Sequence, residues 1–269
     1  MERLLIVENV EKRYEHALAS GARKEVAALQ GVSFSISPGS TMALVGESGS
    51  GKSTLALCVA RLERPTSGRI VFNGNEIAAL KEKELRDVRP QIQLVFQDPA
   101  RSLNPRFSAL DIVSEPLLVQ GRFSKRERED RARALLGKVG ISQEKALQHA
   151  GEFSGGQRQR LAIARAMALE PKLLILDEAL SALDCSVQAQ IANLLIDLQG
   201  SFGLTYLFIT HDFAMADHLA DEIAVMDQGK IVELGTAEKV LHAPDQAITR
   251  RMIAATPGLG AVAHVPQVV

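Results

Sequence analysis

The chain has 269 residues, of which 46% are hydrophobic, so it is long enough to bury the core of one large or two modest domains. Lys and Arg total 31 against 32 Asp and Glu, which leaves no overall field to attract nucleic acid or an anionic membrane surface, and any phosphate binding must be local. No apolar run approaches the roughly 18 residues of a bilayer span, and the charged N-terminus predicts no export signal.

Short β-rich runs open the chain, and their sequences are RLLIVENV, VSFSIS, MALV and RIVF at residues 3–10, 32–37, 42–45 and 69–72. Pro38-Gly39 and Asn73-Gly74 are turn pairs, which predict antiparallel pairing among most of these runs.

Three runs are apolar almost throughout, as strands covered on both faces must be: MALV, LLILD at 173–177 and TYLFIT at 205–210. Helix-like stretches separate them. The sequence therefore predicts an α/β fold in which these strands form a parallel sheet.

A glycine-rich loop follows MALV and precedes the helix-like run STLALCVARL at 53–62. Glycines allow backbone N–H groups to turn inward around phosphates, Lys52 can reach the outer phosphates, and the Ser53 hydroxyl can ligate magnesium. A flexible Ser/Gly turn is the alternative, but the strand, the lysine and the helix argue against it. The residues predicted to hold a nucleoside triphosphate are Gly46, Glu47, Ser48, Gly49, Ser50, Gly51, Lys52, Ser53 and Thr54.

The segment between Gln97 and Ser154 is polar, arginine-rich and leucine-spaced, and it predicts an inserted helical subdomain. Its densest charge run, SKREREDRARALLGKVG at 124–140, interleaves acids with bases. We therefore expect a solvated helix face there and no nucleic-acid partner.

The run FSGGQRQRLAIARAMALEP at 153–171 predicts an amphipathic helix opened by Ser154, Gly155 and Gly156. A helix N-terminus with so little side-chain bulk favours an anion. An ordinary helix start remains open as the alternative.

Two carboxylates lie at the end of the strand LLILD: Asp177 is its last residue, and Glu178 follows it. Asp177 is placed to hold magnesium, and Glu178 to orient or deprotonate an attacking water. The alternative is that the pair only caps the next helix.

His211 follows TYLFIT, where a neutral imidazole can contact the γ-phosphate and the water.

VMDQGKIVELG at 225–235 predicts a hairpin turning at Gln228-Gly229, and the tail from Leu241 is weakly patterned. The two cysteines, Cys58 and Cys185, are too few for a disulfide framework, and we expect both to be small core residues.

Together these segments resemble the nucleotide-binding subunit of an ATP-binding cassette transporter, and the resemblance covers nearly the whole chain. It implies a P-loop NTPase with a RecA-like parallel-sheet core, an antiparallel β subdomain and a helical subdomain inserted at about 98–160. It also implies an ATPase domain over residues 1–240 and a short C-terminal extension of the peptide/nickel importer type over 241–269. The extension has no cysteine for an iron–sulfur cluster.

The resemblance implies ATP and Mg²⁺ as nucleotide and cofactor and assigns roles to further residues. Gln97 in LVFQDP matches the glutamine that senses the outer phosphate, Asp184 the loop after the catalytic glutamate, and Tyr14 the ring that stacks on adenine. The family commonly has Leu where this chain has Phe153, and usually has proline where it has Ala179. The implied catalytic residues are Glu178, His211 and Gln97, the implied nucleotide ligands add Ser154, Gly155, Gly156, Gln157 and Asp184, and the implied metal ligands are Ser53, Gln97 and Asp177.

FQDPARSLNPR, the long signature segment and ITRRMIAATP resemble the importer ATPases for dipeptides, oligopeptides and nickel. That resemblance implies a second, unlike cassette subunit, two membrane permeases, an extracytoplasmic solute-binding protein and a peripheral place at the cytoplasmic face of the inner membrane. The expected cargo is peptide, and nickel or another chelated metal is the alternative cargo. The alternative is a non-transport cassette, such as one associated with carbon–phosphorus bond cleavage.

Overall fold

The computed structural model describes residues 3–17, 23–98 and 102–256. The chain divides into two compact units, Met1–Leu85 with Tyr206–Val269 and Arg86–Thr205. The final segment, 257–269, lies outside the described residues. The prediction that the C-terminal extension holds no iron–sulfur cluster concerns this segment and lies outside the described residues as well.

Ten strands and eight α-helices are described. In chain order they are β1 (Leu5–Ala17), β2 (Arg23–Ile36), β3 (Thr41–Val45), α1 (Lys52–Val59), β4 (Ser67–Phe72), β5 (Asn75–Glu76), β6 (Ile92–Val95), α2 (Ala109–Gln120), α3 (Lys125–Lys138), α4 (Gly155–Met167), β7 (Leu173–Asp177), α5 (Cys185–Phe202), β8 (Thr205–Thr210), α6 (Phe213–Leu219), β9 (Glu222–Asp227), β10 (Lys230–Thr236), α7 (Ala237–His242) and α8 (Ala247–Ala254). No helix among the described residues is long and apolar enough to span a bilayer.

An antiparallel sheet of order β2-β1-β4-β5 lies in the first unit, which confirms antiparallel pairing for most of the early runs. Pro38-Gly39 does not join antiparallel partners, because β2 and β3 belong to different sheets. The turn between β4 and β5 has φ of 48° at Asn73 and 77° at Gly74, so both residues take the left-handed conformation of a tight hairpin. Strands β1 and β2 are longer than predicted, because their outer halves are polar and carry no apolar alternation.

The parallel part of the first unit is centred on β3, which pairs in parallel with β8 on one side and β9 on the other. All residues of β3 and β8 are buried, which explains their continuous apolar sequence. Strand β10 pairs antiparallel with β9 through the predicted turn at Gln228-Gly229. This sheet sets the carboxyl end of β3, where the glycine-rich loop begins, beside the carboxyl end of β8.

The second unit contains the parallel pair β6 and β7 and the helices α2 to α5. Strand β7 has the predicted bounds, with its first four residues buried. The charge run on α3 is exposed, as expected, since the side chains of Lys125 and Arg126 are 83% and 93% exposed. Helix α4 buries the apolar face predicted for the 153–171 run.

The two cysteines differ. Cys58 is buried in α1, and burial raises the pKa of its thiol to about 11, so it is an inert core residue. Cys185 is exposed at the start of α5, and the expectation that it is a core residue was wrong. The residue lies in the first turn of an amphipathic helix, on the side that faces solvent.

The weakly patterned tail forms two short helices, α7 and α8. Glu233 of β10 is only 8% exposed, and its carboxylate accepts hydrogen bonds from the backbone of Asp245 at 2.6 Å and Gln246 at 3.2 Å. These bonds fix the start of α8 to the first unit.

Candidate active site

The loop between β3 and α1 places glycines where side chains do not fit. A Cβ at Gly46 would overlap the backbone oxygen of Met226, and one at Gly51 would lie 2.5 Å from the backbone oxygen of Ala28. Gly51 also has φ +105°, a conformation that L side chains rarely adopt. The loop backbone is therefore closely packed, and its glycines are required by the fold of its own unit.

Lys52 folds back over this loop. The side chain is buried, with 4% exposed, and its Nζ donates to the carbonyls of Gly46 and Glu47 at 2.8 Å each and to Ser50 Oγ at 3.4 Å. Helix α1 begins at this residue, with no side-chain cap at Gly51 and no acidic residue in its first turn. The ammonium group and the open helix N-terminus together favour an anion at the loop.

One backbone bond joins the loop to the hairpin of β9 and β10, and a second joins that hairpin to β2. Gly229 N donates to Ser50 O at 2.9 Å, and Gln30 N donates to Gly229 O at 2.8 Å. Ser53 is exposed at the start of α1. The other predicted loop ligands are Glu47 and Ser48, both exposed, and Gly49 and Thr54.

The structure brings His211 to the beginning of the phosphate loop. A cavity of about 190 Å³ in the first unit is lined by Gly46, Glu47 and His211, together with Phe213 and three residues near the C-terminus, Met252, Ala255 and Thr256. Sequence reasoning missed the contribution of α8, because its eight residues carry too short a pattern to assign to any site.

Hydrogen bonds on both sides of His211 hold the turn in which it lies. Asp212 N donates to Thr210 Oγ1 at 3.0 Å, and the Asp212 carboxylate caps α6 by accepting from Ala214 N at 2.8 Å. The imidazole is exposed at the end of β8. The residue directly follows β8, and its predicted role toward phosphate stays a prediction.

Tyr14 lies in β1 opposite Val26 of β2. The Nζ of Lys12 lies 4.8 Å from the centroid of the tyrosine ring and 2.8 Å from Glu63 Oε2. One ring face therefore interacts with a cation. Stacking on adenine stays a prediction, and it needs the opposite face of the ring.

In the second unit, Gln97 and Glu178 are in direct contact although 81 residues separate them. Gln97 Nε2 lies 3.2 Å from Glu178 Oε2 and 3.3 Å from Ser181 Oγ. Ser181 Oγ in turn donates to the Glu178 carbonyl at 2.9 Å. Sequence reasoning missed Ser181, and its only signal is the three-residue spacing of a turn after Glu178.

Glu178 has φ 47°, the left-handed conformation that a non-glycine residue adopts at a cost of about 1 kcal/mol. The next residue, Ala179, is buried with 2% exposed. The turn is held by the bond from Ser181 N to Glu178 O at 3.1 Å. The conformation therefore does not depend on the proline that the family usually has after this glutamate.

Magnesium is an oxygen-seeking ion that proteins usually hold with one or two carboxylates and the phosphates of a substrate. The described residues contain no cluster of three or more His, Cys, Asp or Glu that could hold a metal ion. The predicted ligands Ser53, Gln97 and Asp177 supply a hydroxyl, an amide oxygen and a carboxylate. This donor set fits magnesium shared with a nucleotide.

Helix α4 opens with a capping box: Ser154 Oγ accepts from Gln157 N at 3.3 Å, and Gln157 Oε1 accepts from Ser154 N at 3.1 Å. Capping boxes also open α2 and α3, at Ser108 and Ser124. The ordinary helix start considered above is thus present. Capping alone does not distinguish Ser154 as a nucleotide ligand.

The two glycines after Ser154 differ from each other. A Cβ on Gly156 would lie 2.6 Å from Val187 Cγ1, whereas one on Gly155 would lie 3.6 Å from Leu183 Cδ2, an ordinary contact. Packing within the unit explains glycine at position 156. It does not explain glycine at 155, where the helix tip is half-exposed.

Asp184 caps α5, since its Oδ1 accepts from Val187 N at 2.9 Å and from Ser186 Oγ at 2.8 Å. The backbone bond from Val187 first, and the Ser186 hydroxyl second, lower the pKa of this carboxyl. The structure thus gives Asp184 a capping role. Its predicted contact with nucleotide stays a prediction.

A phosphate-binding loop between a buried parallel strand and a helix defines a P-loop nucleotide-binding protein. Solved structures with the same fold narrow this class to ATP-binding cassettes. The cassette MJ0796, solved as a dimer in a post-hydrolysis state with ADP and Pi, is 31% identical, with a TM-score of 0.77 over 87% of this chain and 98% of that one. The cbiO1 protein of Clostridium perfringens, part of an ABC transporter complex, is 29% identical, with a TM-score of 0.79 over 98% and 100%.

The ABC transporter family matches residues 29–181. A probable peptide ABC transporter ATP-binding protein of Sinorhizobium fredii is 49% identical over 258 residues, which are 94% of this chain and 72% of that protein. The glutathione import ATP-binding protein of Escherichia coli is 46% identical over 258 residues, or 95% of this chain, and the chain spans only 41% of its length. The chain belongs to the ABC transporter family and is one of its ATP-hydrolysing cassettes.

Proposed function

We propose that this chain is the ATP-binding subunit of an importer for peptides. The observation that carries the proposal is the 49% identity, over 94% of the chain, to a protein named as a peptide transporter subunit. The second relative is named for import of glutathione, itself a small peptide. Both names favour peptide over nickel as the cargo, and neither supports a cassette for carbon–phosphorus cleavage.

The phosphate loop binds the nucleotide in this proposal. The Lys52 ammonium, which now contacts the carbonyls of Gly46 and Glu47, is redirected to the outer phosphates, and the first N–H groups of α1 donate to them. Ser53, Gln97 and Asp177 would hold magnesium, which neutralises charge that develops on the phosphates. Tyr14 stacks on the adenine ring.

Glu178 is the general base. Its Oε2 accepts from Gln97 in the present structure, and its carboxylate is the group that accepts a hydrogen bond from the attacking water. Gln97 couples binding of the outer phosphate to Glu178, because any movement of its amide changes the hydrogen bond between the two side chains. His211 contacts the γ-phosphate.

A second cassette supplies the missing wall of the pocket. The half-exposed tip of α4, with Ser154, Gly155, Gly156 and Gln157, faces the nucleotide of the partner subunit, and Asp184 lies in the following loop. Glycine at 155, which its own unit does not require, permits close approach of the partner-bound phosphate. The partner is an unlike cassette. Both cassettes bind two permeases at the cytoplasmic face of the inner membrane, and a solute-binding protein delivers the peptide to these permeases.

Uptake in the organism that carries this chain tests the proposal. A strain with Glu178→Gln should lose uptake of a radiolabelled dipeptide and of labelled glutathione while uptake of ⁶³Ni²⁺ stays at the wild-type level. Unchanged peptide uptake with lost nickel uptake would overturn the choice of cargo. Co-purification of the wild-type chain with two membrane subunits and a second cassette tests the assembly, and its absence would contradict the transporter role.

The control for the substitution is Glu144→Gln, an exposed residue in a short turn of the second unit. It removes the same charge away from Gln97 and should leave all uptake unchanged.

A further inference from the structure

The second unit has an open groove of about 580 Å³ at the turn that precedes β6. Three arginines and two glutamines contribute to its lining, against a single carboxylate. The lining residues used below are Arg86, Arg89, Arg122, Asp87, Val119 and Leu169. The groove volume falls in the range typical of small-molecule sites.

Charge in this groove contrasts with that of the whole chain. The chain has a formal net charge of −1, whereas the three guanidinium groups outnumber the one carboxylate of Asp87. Arg86 and Arg122 are exposed, and neither has an ion pair or side-chain hydrogen bond within the described part of the chain. By contrast, Arg131 at another groove of the same unit is paired with Glu170 at 2.8 Å.

The turn that holds Arg86 and Arg89 is fixed by its own hydrogen bonds. Gln93 Nε2 donates to Arg89 O at 2.7 Å, and Gln91 Nε2 donates to Asp87 O at 2.9 Å. Lys172 N donates to Gln91 O at 2.9 Å, which joins the turn to the start of β7. The backbone that carries Arg86 and Arg89 is therefore fixed by hydrogen bonds.

The end of α2 also lines the groove. Gly121 caps the helix with φ 67° and donates to Leu118 O at 3.0 Å, after which Arg122 follows. Val119, 79% exposed, and Leu169 add apolar surface to the same groove. A groove lined by both guanidinium groups and apolar side chains suits a ligand that has both an anionic group and an apolar or ring portion.

We propose that this groove binds a small phosphate-bearing ligand, such as a phosphate ester, through Arg86, Arg89 and Arg122. Planar guanidinium groups form paired hydrogen bonds with phosphate oxygens, and a groove of this size has room for the remainder of a small metabolite. The site is separate from the phosphate loop, since every lining residue belongs to the second unit.

Inorganic pyrophosphate is the probe, titrated by calorimetry into four forms of the full chain. The wild type should show two sites, one in the phosphate loop and one in the groove. Arg86→Gln/Arg122→Gln should keep only the loop site and Lys52→Ala only the groove site. The control Arg126→Gln, at an exposed arginine of α3 outside the groove, should keep both.

We expect affinity at the groove to fall about tenfold or more in the double variant, since two charge-assisted contacts are lost, and to weaken as salt is raised. Both arginines are exposed and unbonded, so the double variant should unfold at the wild-type temperature, which thermal scans check. A single site in the wild type, or two sites in the double variant, would overturn the proposal. Binding of citrate but not pyrophosphate to Lys52→Ala would overturn the phosphate class.

Discussion

The two glycine-rich turns of this chain, the phosphate loop at 46–54 and the tip of α4, differ in what their glycines contact. In the loop, a Cβ at Gly46 or Gly51 would meet backbone atoms of the same unit. At the tip of α4, a Cβ at Gly155 would meet only an ordinary contact with Leu183. The loop glycines are required for the fold itself. Gly155 requires another explanation, and a phosphate brought by a second subunit supplies one.

The largest expected effect is on ATP turnover, and it comes from a residue outside the two glycine-rich turns. Glu178→Gln should lower ATP turnover by about 10²–10⁴-fold, because the general base is lost while the side chain keeps its size. Nucleotide binding, measured with a fluorescent ATP analogue, should stay at the wild-type level. Turnover within threefold of wild type would show that another group is the base.

The phosphate loop should be intolerant of any side chain at Gly51. Gly51→Ala introduces both a left-handed strain and an overlap with Ala28 O, so the free energy of unfolding should fall by about 3 kcal/mol. Urea unfolding measures the loss. The matched control is Gly200→Ala in α5, where a Cβ meets nothing within 4 Å. That variant should gain about 0.5–1 kcal/mol, and equal losses in both variants would refute the packing argument.

At the tip of α4, alanine substitutions at the two neighbouring glycines should differ in their effect on the free energy of unfolding. Gly156→Ala forces Val187 to move and should cost about 1–2 kcal/mol, whereas Gly155→Ala should be neutral or slightly stabilising. The same urea experiment applies. A loss at position 155 as large as that at 156 would mean that Gly155 also serves the packing of its own unit.

The smallest effect is the cap of α5, beside the same tip. Hydrogen bonds depress the pKa of Asp184 below its ordinary value of 3.8 in the folded chain. The capping contribution is therefore fully present above pH 3.8 and is lost as the pH falls through the lower folded pKa. Asp184→Ala should be slightly less stable than wild type at pH 7 and equal to it at strongly acidic pH. A difference that does not change with pH would contradict a role for the charged form.

Much of the fold followed from local pattern. Strands β7 and β8 have the predicted bounds, because a strand buried on both faces is apolar throughout and ends at its first polar residues. The hairpin turns at Asn73-Gly74 and Gln228-Gly229 were predictable, because each pair takes positive φ.

The contacts within the site were less predictable. The Gln97–Glu178 hydrogen bond joins residues 81 positions apart, and no local periodicity encodes it. Met252 and Thr256 line a cavity with His211, and the start of α8 is held by hydrogen bonds that Asp245 N and Gln246 N donate to Glu233. These contacts arise only in the tertiary structure. The residue types of the site were predicted from sequence, and its internal contacts were not.

The central claim is that the tip of α4 completes the pocket of a second subunit, and Gly155→Glu tests it most directly. A glutamate at the first position of a helix is favoured by the helix dipole and has room there, so the variant should fold with wild-type stability. ATP turnover of the chain with its partner cassette should nevertheless fall at least a hundredfold, because the added charge meets the partner-bound phosphates. Lys125→Glu, at the equivalent position of α3, should keep full turnover. Wild-type turnover in Gly155→Glu would contradict the shared pocket.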